Sequence, residues 1–75
     1  MVIFVLENVG AIETSSLPGG DMKVWHPLNE KLRAIAEGAC RRRGYWNPEY
    51  KNWIVKAPFA NTVLSEIASY TNKIA

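Results

Sequence analysis

Three consecutive arginines, Arg41-Arg42-Arg43, run directly into Gly44-Tyr45-Trp46-Asn47-Pro48-Glu49-Tyr50-Lys51-Asn52-Trp53-Ile54-Val55-Lys56. Guanidinium and ammonium groups neutralise phosphates, and aromatic faces stack unpaired bases at roughly 1–3 kcal/mol per base. On that chemistry Arg41, Arg42, Arg43, Lys51 and Lys56 are candidate phosphate contacts, and Tyr45 and Tyr50 are candidate stacking platforms. Trp, Tyr and Arg are also the types most enriched at protein-binding hot spots. The same stretch therefore offers a second reading, with Trp46, Tyr50 and Arg42 as anchors for a protein partner. A purely architectural account competes with both. Arginines suit the C-terminal end of a helix dipole, and Trp46 and Trp53 face each other across a hairpin.

Catalytic chemistry finds little support. Cys40 and His26 could in principle form a nucleophile–base pair. Cys40 falls on the apolar side of a predicted helix, where a free cysteine acts as a small hydrophobe. His26 precedes Pro27 at the entry to that helix. No serine stands in a nucleophile motif, and Gly19-Gly20 is a loop pair rather than a phosphate cradle. One cysteine and one histidine make no metal-ligand set. The expectation is a non-enzyme with no cofactor and no metal.

The net charge of +2 conceals an asymmetry. Residues 1–21 carry Glu7, Glu13 and Asp21 and no base, whereas residues 22–57 carry eight bases against three acids. Such segregation steers polyanions. The lone cysteine suits a reducing compartment. The apolar start Met1–Leu6 ends at Glu7, too short for a signal core or a membrane span. A cytoplasmic protein with no membrane association is expected.

The candidate residues need a scaffold. A chain of 75 residues is one domain, 1–75, and buries only about 60% of its unfolded surface. The three tryptophans then carry much of the burial, at roughly 150–250 Å² each. Val2 to Leu6 is a continuous apolar run that reads as a strand buried on both faces. Asn8-Val9-Gly10 is a turn, Ala11–Thr14 a short optional strand, and 15–21 a loop. Met22-Lys23-Val24-Trp25 alternates as a strand. Pro27 suits the first position of a helix, whose apolar face is Leu28, Leu32, Ile35, Ala36, Ala39 and Cys40. Gly38 inside it would allow close packing on the sheet. The arginines fill its last turn and Gly44 terminates it. Residues 45–55 form a hairpin around an Asn47-Pro48 turn. A final helix starts at Phe59, with Phe59, Val63, Leu64, Ile67, Ala68 and Ile74 on its apolar side. The fold class is α+β: a small, largely antiparallel sheet with two helices on one face, in the order β-(β)-β-α-β-β-α.

The run Lys23-Val24-Trp25-His26-Pro27, the helix, and then Gly44-Tyr45-Trp46-Asn47 through Lys51, Trp53 and Val55 resembles small accessory domains of phage and plasmid proteins. It is also similar to the HARP module of annealing helicases. The resemblance covers residues 22–70, its specific part about ten of them. It implies binding of forked or partly single-stranded DNA, with Lys51 and the arginines facing the DNA and Trp53 structural. The leading expectation is a non-catalytic module that binds single-stranded or junction-containing nucleic acid. The alternative is a phage- or mobile-element-type protein that binds and modulates a host protein through the same surface. Self-pairing into a homo-oligomer through a sheet edge is a third reading.

Overall fold

The computed structural model describes residues 1–74. Six strands form one fully antiparallel sheet: β1 Val2–Leu6, β2 Gly10–Ser16, β3 Met22–Trp25, β4 Gly44–Asn47, β5 Asn52–Val55 and β6 Asn72–Ile74, in the spatial order β4-β5-β3-β2-β1-β6. Helix α1 (Glu30–Cys40) bridges β3 and β4, and helix α2 (Ala60–Ala68) bridges β5 and β6.

The registers divide the sheet residues between two faces. Val2 opposes Thr14, Phe4 opposes Ile12, Thr14 opposes Val24, Met22 opposes Val55 and Val24 opposes Trp53. Side chains paired in this way point the same way. Phe4, Ile12, Met22, Val24 and Val55 are buried in one cluster with Leu32, Ala36, Ala39 and Cys40 of α1 and Val63 and Ile67 of α2. Both helices therefore cover the same face, as the α+β expectation has it. The buried Thr14 hydroxyl in that layer donates to the Val2 carbonyl at 3.1 Å, which removes the cost of an unpaired buried group.

Among the described residues no helix packs on the opposite face. Residues alternating with the core, including Ile3, Val5, Ala11, Glu13, Lys23, Trp25, Ile54 and Tyr45, line it. The expectation that β1 is buried on both faces is thus corrected. Only Phe4 of β1 is fully buried, and Ile3 and Val5 are half-buried on the uncovered side.

The helix boundaries also differ from the expectation. The first helix starts at Glu30, not Pro27, because Asn29 caps it: the Asn29 Oδ1 accepts from the backbone N–H of Lys31 and Leu32 at 2.9 and 3.1 Å. Asn is among the strongest N-cap residues, and Leu28 is left outside, fully exposed. The helix ends at Cys40, so the arginines follow its last turn rather than fill it. The left-handed residue of the exit is Arg42, with φ 67°, and not Gly44. Gly44 instead opens β4, where a Cβ would run into the Ile54 carbonyl. Gly38 faces open space, so close packing of α1 comes from Ala36 and Ala39. Phe59 lies in a 3₁₀ turn, Ala57–Phe59, ahead of α2 and is exposed. The second helix stops at Ala68, where the Ser69 and Thr71 hydroxyls donate to the Glu66 and Ile67 carbonyls at 2.6 and 2.8 Å. Residues 72–74, including Ile74, leave the helix and pair with β1.

Candidate nucleic-acid interface

The uncovered face can be built row by row from the registers. One row runs Ser15, Lys23, Ile54, Tyr45 across β2, β3, β5 and β4. The next begins with Glu13 and Trp25 on β2 and β3 and ends with Asn52 and Asn47 on β5 and β4. Lys56 continues the alternation beyond Ile54, and its Nζ lies 5.3 Å from the centroid of the Tyr45 ring. At that separation the ammonium is attracted by the ring quadrupole. Tyr45 and Trp25 are 49% and 38% exposed on this face, and Trp46 on the opposite face is 41% exposed.

The β4–β5 hairpin supplies the far wall. Asn47 Oδ1 accepts from the backbone N–H of Glu49 at 3.0 Å and of Tyr50 at 3.4 Å. This side-chain turn tightens the tip. Lys51 completes it in the left-handed region with φ 54°. Between this tip and the strands lies an open cleft of about 680 Å³, lined among others by Glu13, Lys23, Trp25, Tyr50, Asn52 and Ile54. Asn52 is only 6% exposed, and its Oδ1 has no hydrogen-bond partner among the described residues.

The seven sequence-derived nucleic-acid candidates separate into three groups. Tyr45 and Lys56 share the uncovered face, and Tyr50 and Lys51 lie on the adjacent hairpin turn. The arginines stand apart. Arg43 Nη1 donates to Glu66 Oε1 at 2.7 Å and to the Ala39 carbonyl at 3.0 Å, tying the end of α1 to α2. Arg41 pairs with Glu37 on α1 at 2.9 Å. Arg42 is exposed and makes no ion pair among the described residues. The turn carrying it meets the sheet where the Lys56 N–H donates to the Arg43 carbonyl at 3.0 Å, so Arg42 stands at the Lys56 end of the hairpin.

Trp46 and Tyr50, two of the protein-interface anchors, lie on opposite sides. Trp46 alternates with Tyr45 onto the helix side, where its ring meets Trp53 edge-on at 5.8 Å and 70°. His26 stacks obliquely on it, with centroids 6.4 Å apart. The His26 Nδ1–H donates to the Pro27 carbonyl at 2.9 Å, and Nε2 is buried with no hydrogen-bond partner among the described residues. His26 and Cys40 therefore take part in packing. Burial holds the Cys40 thiol up at about 12, against the opposing pull of Arg43 and with a smaller push from Glu66.

Lys23, Trp25 and Asn52 are the cleft residues that sequence reasoning did not single out. The signal was the alternation of β3: with Met22 and Val24 inward, Lys23 and Trp25 must face away. Among the described residues no group of three or more His, Cys, Asp or Glu is placed to hold a metal ion. No helix among them is long and apolar enough to cross a membrane. Compared with family models, curated proteins and solved structures, the chain has no match in any of the three.

Proposed function

We propose that this chain is a non-catalytic, cytoplasmic module that binds single-stranded nucleic acid on the helix-free face of its sheet. The observation that carries the reading is the position of Lys56 over Tyr45 on that face, with Lys23 in the same row as Tyr45 and Trp25 in the next row. Cations that track a backbone and aromatics that stack its bases are the two components of sequence-tolerant single-strand binding. A half-covered sheet provides a broad surface for both. Lys23 and Lys56 contact phosphates, Lys51 and Arg42 extend the basic strip at its two ends, and Tyr45, Trp25 and Tyr50 are the platforms. Arg43 is a structural residue in this reading. A forked substrate would present its unpaired arm to the same face.

Titration of a labelled single-stranded oligonucleotide against salt tests the reading. With these four cations engaged, single-strand counterion release predicts affinity falling roughly fiftyfold between about 50 and 200 mM salt. Absence of binding at the lower salt would refute it.

A protein partner is the second reading, favoured by one observation. Ile3, Val5 and Ala11 form an apolar, partly buried area on the uncovered face. Exposed apolar patches of that kind mark interaction sites. In that reading Tyr50 and Trp25 anchor a host protein, and binding is insensitive to nuclease treatment.

A further inference from the structure

We propose that the free edge of β4 pairs with β4 of a second copy of this chain, antiparallel about a two-fold axis at Tyr45, so that the sheets of two molecules run into one. The inference is independent of the single-strand reading. It starts from the hydrogen-bond ladder. Among the described residues β5 is the one strand beside β4. The Lys56 N–H donates to the Arg43 carbonyl, in register with the Tyr45–Ile54 and Asn47–Asn52 pairs. In an antiparallel ladder only alternate residues bond to a given neighbour. Arg43, Tyr45 and Asn47 therefore turn their backbone groups towards β5, and Gly44 and Trp46 turn theirs to the open edge. Edges of this kind are guarded by lysine, proline or inward-pointing charges. Gly44-Tyr45-Trp46-Asn47 contains none of these and carries two large exposed aromatics.

Self-complementarity of the strand singles out a second copy as the occupant. With Tyr45 on the axis, Gly44 of each molecule opposes Trp46 of the other, and their outward N–H and C=O groups form a hydrogen-bonded pair. Gly44 has no side chain, so the indole of the opposing Trp46 has room to lie across it on the helix side. Covering an edge glycine with a cross-strand aromatic is an established stabilising device in sheets. The two Tyr45 side chains meet on the uncovered face in a non-hydrogen-bonded pair, where side chains come closest, and such aromatic pairs stabilise a sheet. The same register brings the arginine turn of each copy to the hairpin tip of the other. There Glu49 is exposed and makes no ion pair among the described residues. A parallel pairing would instead set one arginine turn against the other. One short strand makes a small interface, so the dimer forms and dissociates with concentration.

Sedimentation equilibrium of the protein alone, from micromolar to near-millimolar concentration, tests this together with amide hydrogen exchange. The expected result is an average mass rising from 8.4 kDa towards twice that value, with the Gly44 and Trp46 amides gaining protection over the same range. Tyr45→Lys sets two like charges face to face on the axis and should weaken association roughly tenfold. Tyr45→Cys should cross-link to itself on air oxidation, because the opposed Cα atoms of a non-hydrogen-bonded pair, about 4.5 Å apart, suit a disulfide. Tyr50→Cys, an exposed position on the same hairpin, should not, and the buried Cys40 does not compete. A mass of 8.4 kDa at every concentration would overturn the proposal, as would a dimer in which Gly44 and Trp46 still exchange freely. Both results are read on the unaltered chain, so they stand even if a variant fails to fold. No nucleic acid is present, so failure of the dimer is distinct from failure of the single-strand reading.

Discussion

The Arg43 guanidinium donates to the Glu66 carboxylate at 2.7 Å, across the end of α1 to α2. Both side chains are about two-thirds covered, at 29% and 34% exposure. Of three consecutive arginines, the one nearest the aromatic hairpin is thereby committed to holding the two helices together. Arg43→Ala should lower stability by about 1–2 kcal/mol, because it breaks a charge-assisted contact and a helix-end cap together. Arg42→Ala should change stability by less than about 0.5 kcal/mol, as is usual for a surface site. Urea unfolding of the two variants checks the difference. Equal destabilisation by both would contradict the assignment.

Gly38 and Gly44 should respond in opposite directions to the same substitution. A Cβ at Gly38 of α1 would enter open space, so Gly38→Ala should raise stability by up to about 1 kcal/mol through helix propensity. Gly44 is pressed against the β5 backbone at Ile54 and Val55. Gly44→Ala must part β4 from β5 and should cost more than about 2 kcal/mol. Thermal melts of both proteins decide this.

Much of the scaffold was legible in the chain, and for a physical reason. Alternation in β3 and β5 and the spacing of Leu32, Ala36, Ala39 and Cys40 report directly which side meets the core. The strand after α2 was not legible. Asn72-Lys73-Ile74 is too short to show a period, and it is held by pairing with β1, a contact about seventy residues away along the chain that local pattern cannot express. The start of α1 was misplaced because Pro27 and Asn29 are both good entry residues, and the side-chain cap of Asn29 prevailed. The candidate site was half legible. Tyr45, Tyr50, Lys51 and Lys56 stand out by composition. Trp25 and Lys23 join them only when β3 takes its place beside β5, and Arg43 leaves the set only when α2 brings Glu66 to it.

The Cys40 thiol should be inert and should make alkaline stability proton-linked. Burial raises its pKa from 9.0 to about 12, with Arg43 opposing and Glu66 adding to the rise. The proton is held more tightly in the folded state than in the unfolded one. The stabilisation is therefore complete below pH 9 and is lost as pH rises towards 12, at up to about 1.4 kcal/mol per pH unit. Unfolding of wild type and Cys40→Ala across that range should show a steeper alkaline decline for wild type. Iodoacetamide should label Cys40 only after denaturant is added.

Stacking and packing aromatics should separate cleanly. Tyr45→Ala and Trp25→Ala remove platforms from the uncovered face and should weaken single-strand binding by about 1–3 kcal/mol each, roughly fivefold to 150-fold. Trp46→Ala removes the edge-on partner of Trp53 and should lower stability instead, with binding per folded molecule little changed. Loss of binding in Trp46→Ala at full folding would place the ligand on the wrong side of the sheet.

The central claim is that the ligand lies on the helix-free face. Amide chemical-shift mapping of isotope-labelled protein with a short single-stranded oligonucleotide at low salt tests it most directly. The predicted result is a contiguous set of shifts at Ser15, Lys23, Trp25, Tyr45, Asn52, Ile54 and Lys56, with the middle of α1 and of α2 unmoved. Shifts gathered on α1 and around Arg41 and Arg43, with β3 and β5 silent, would contradict it.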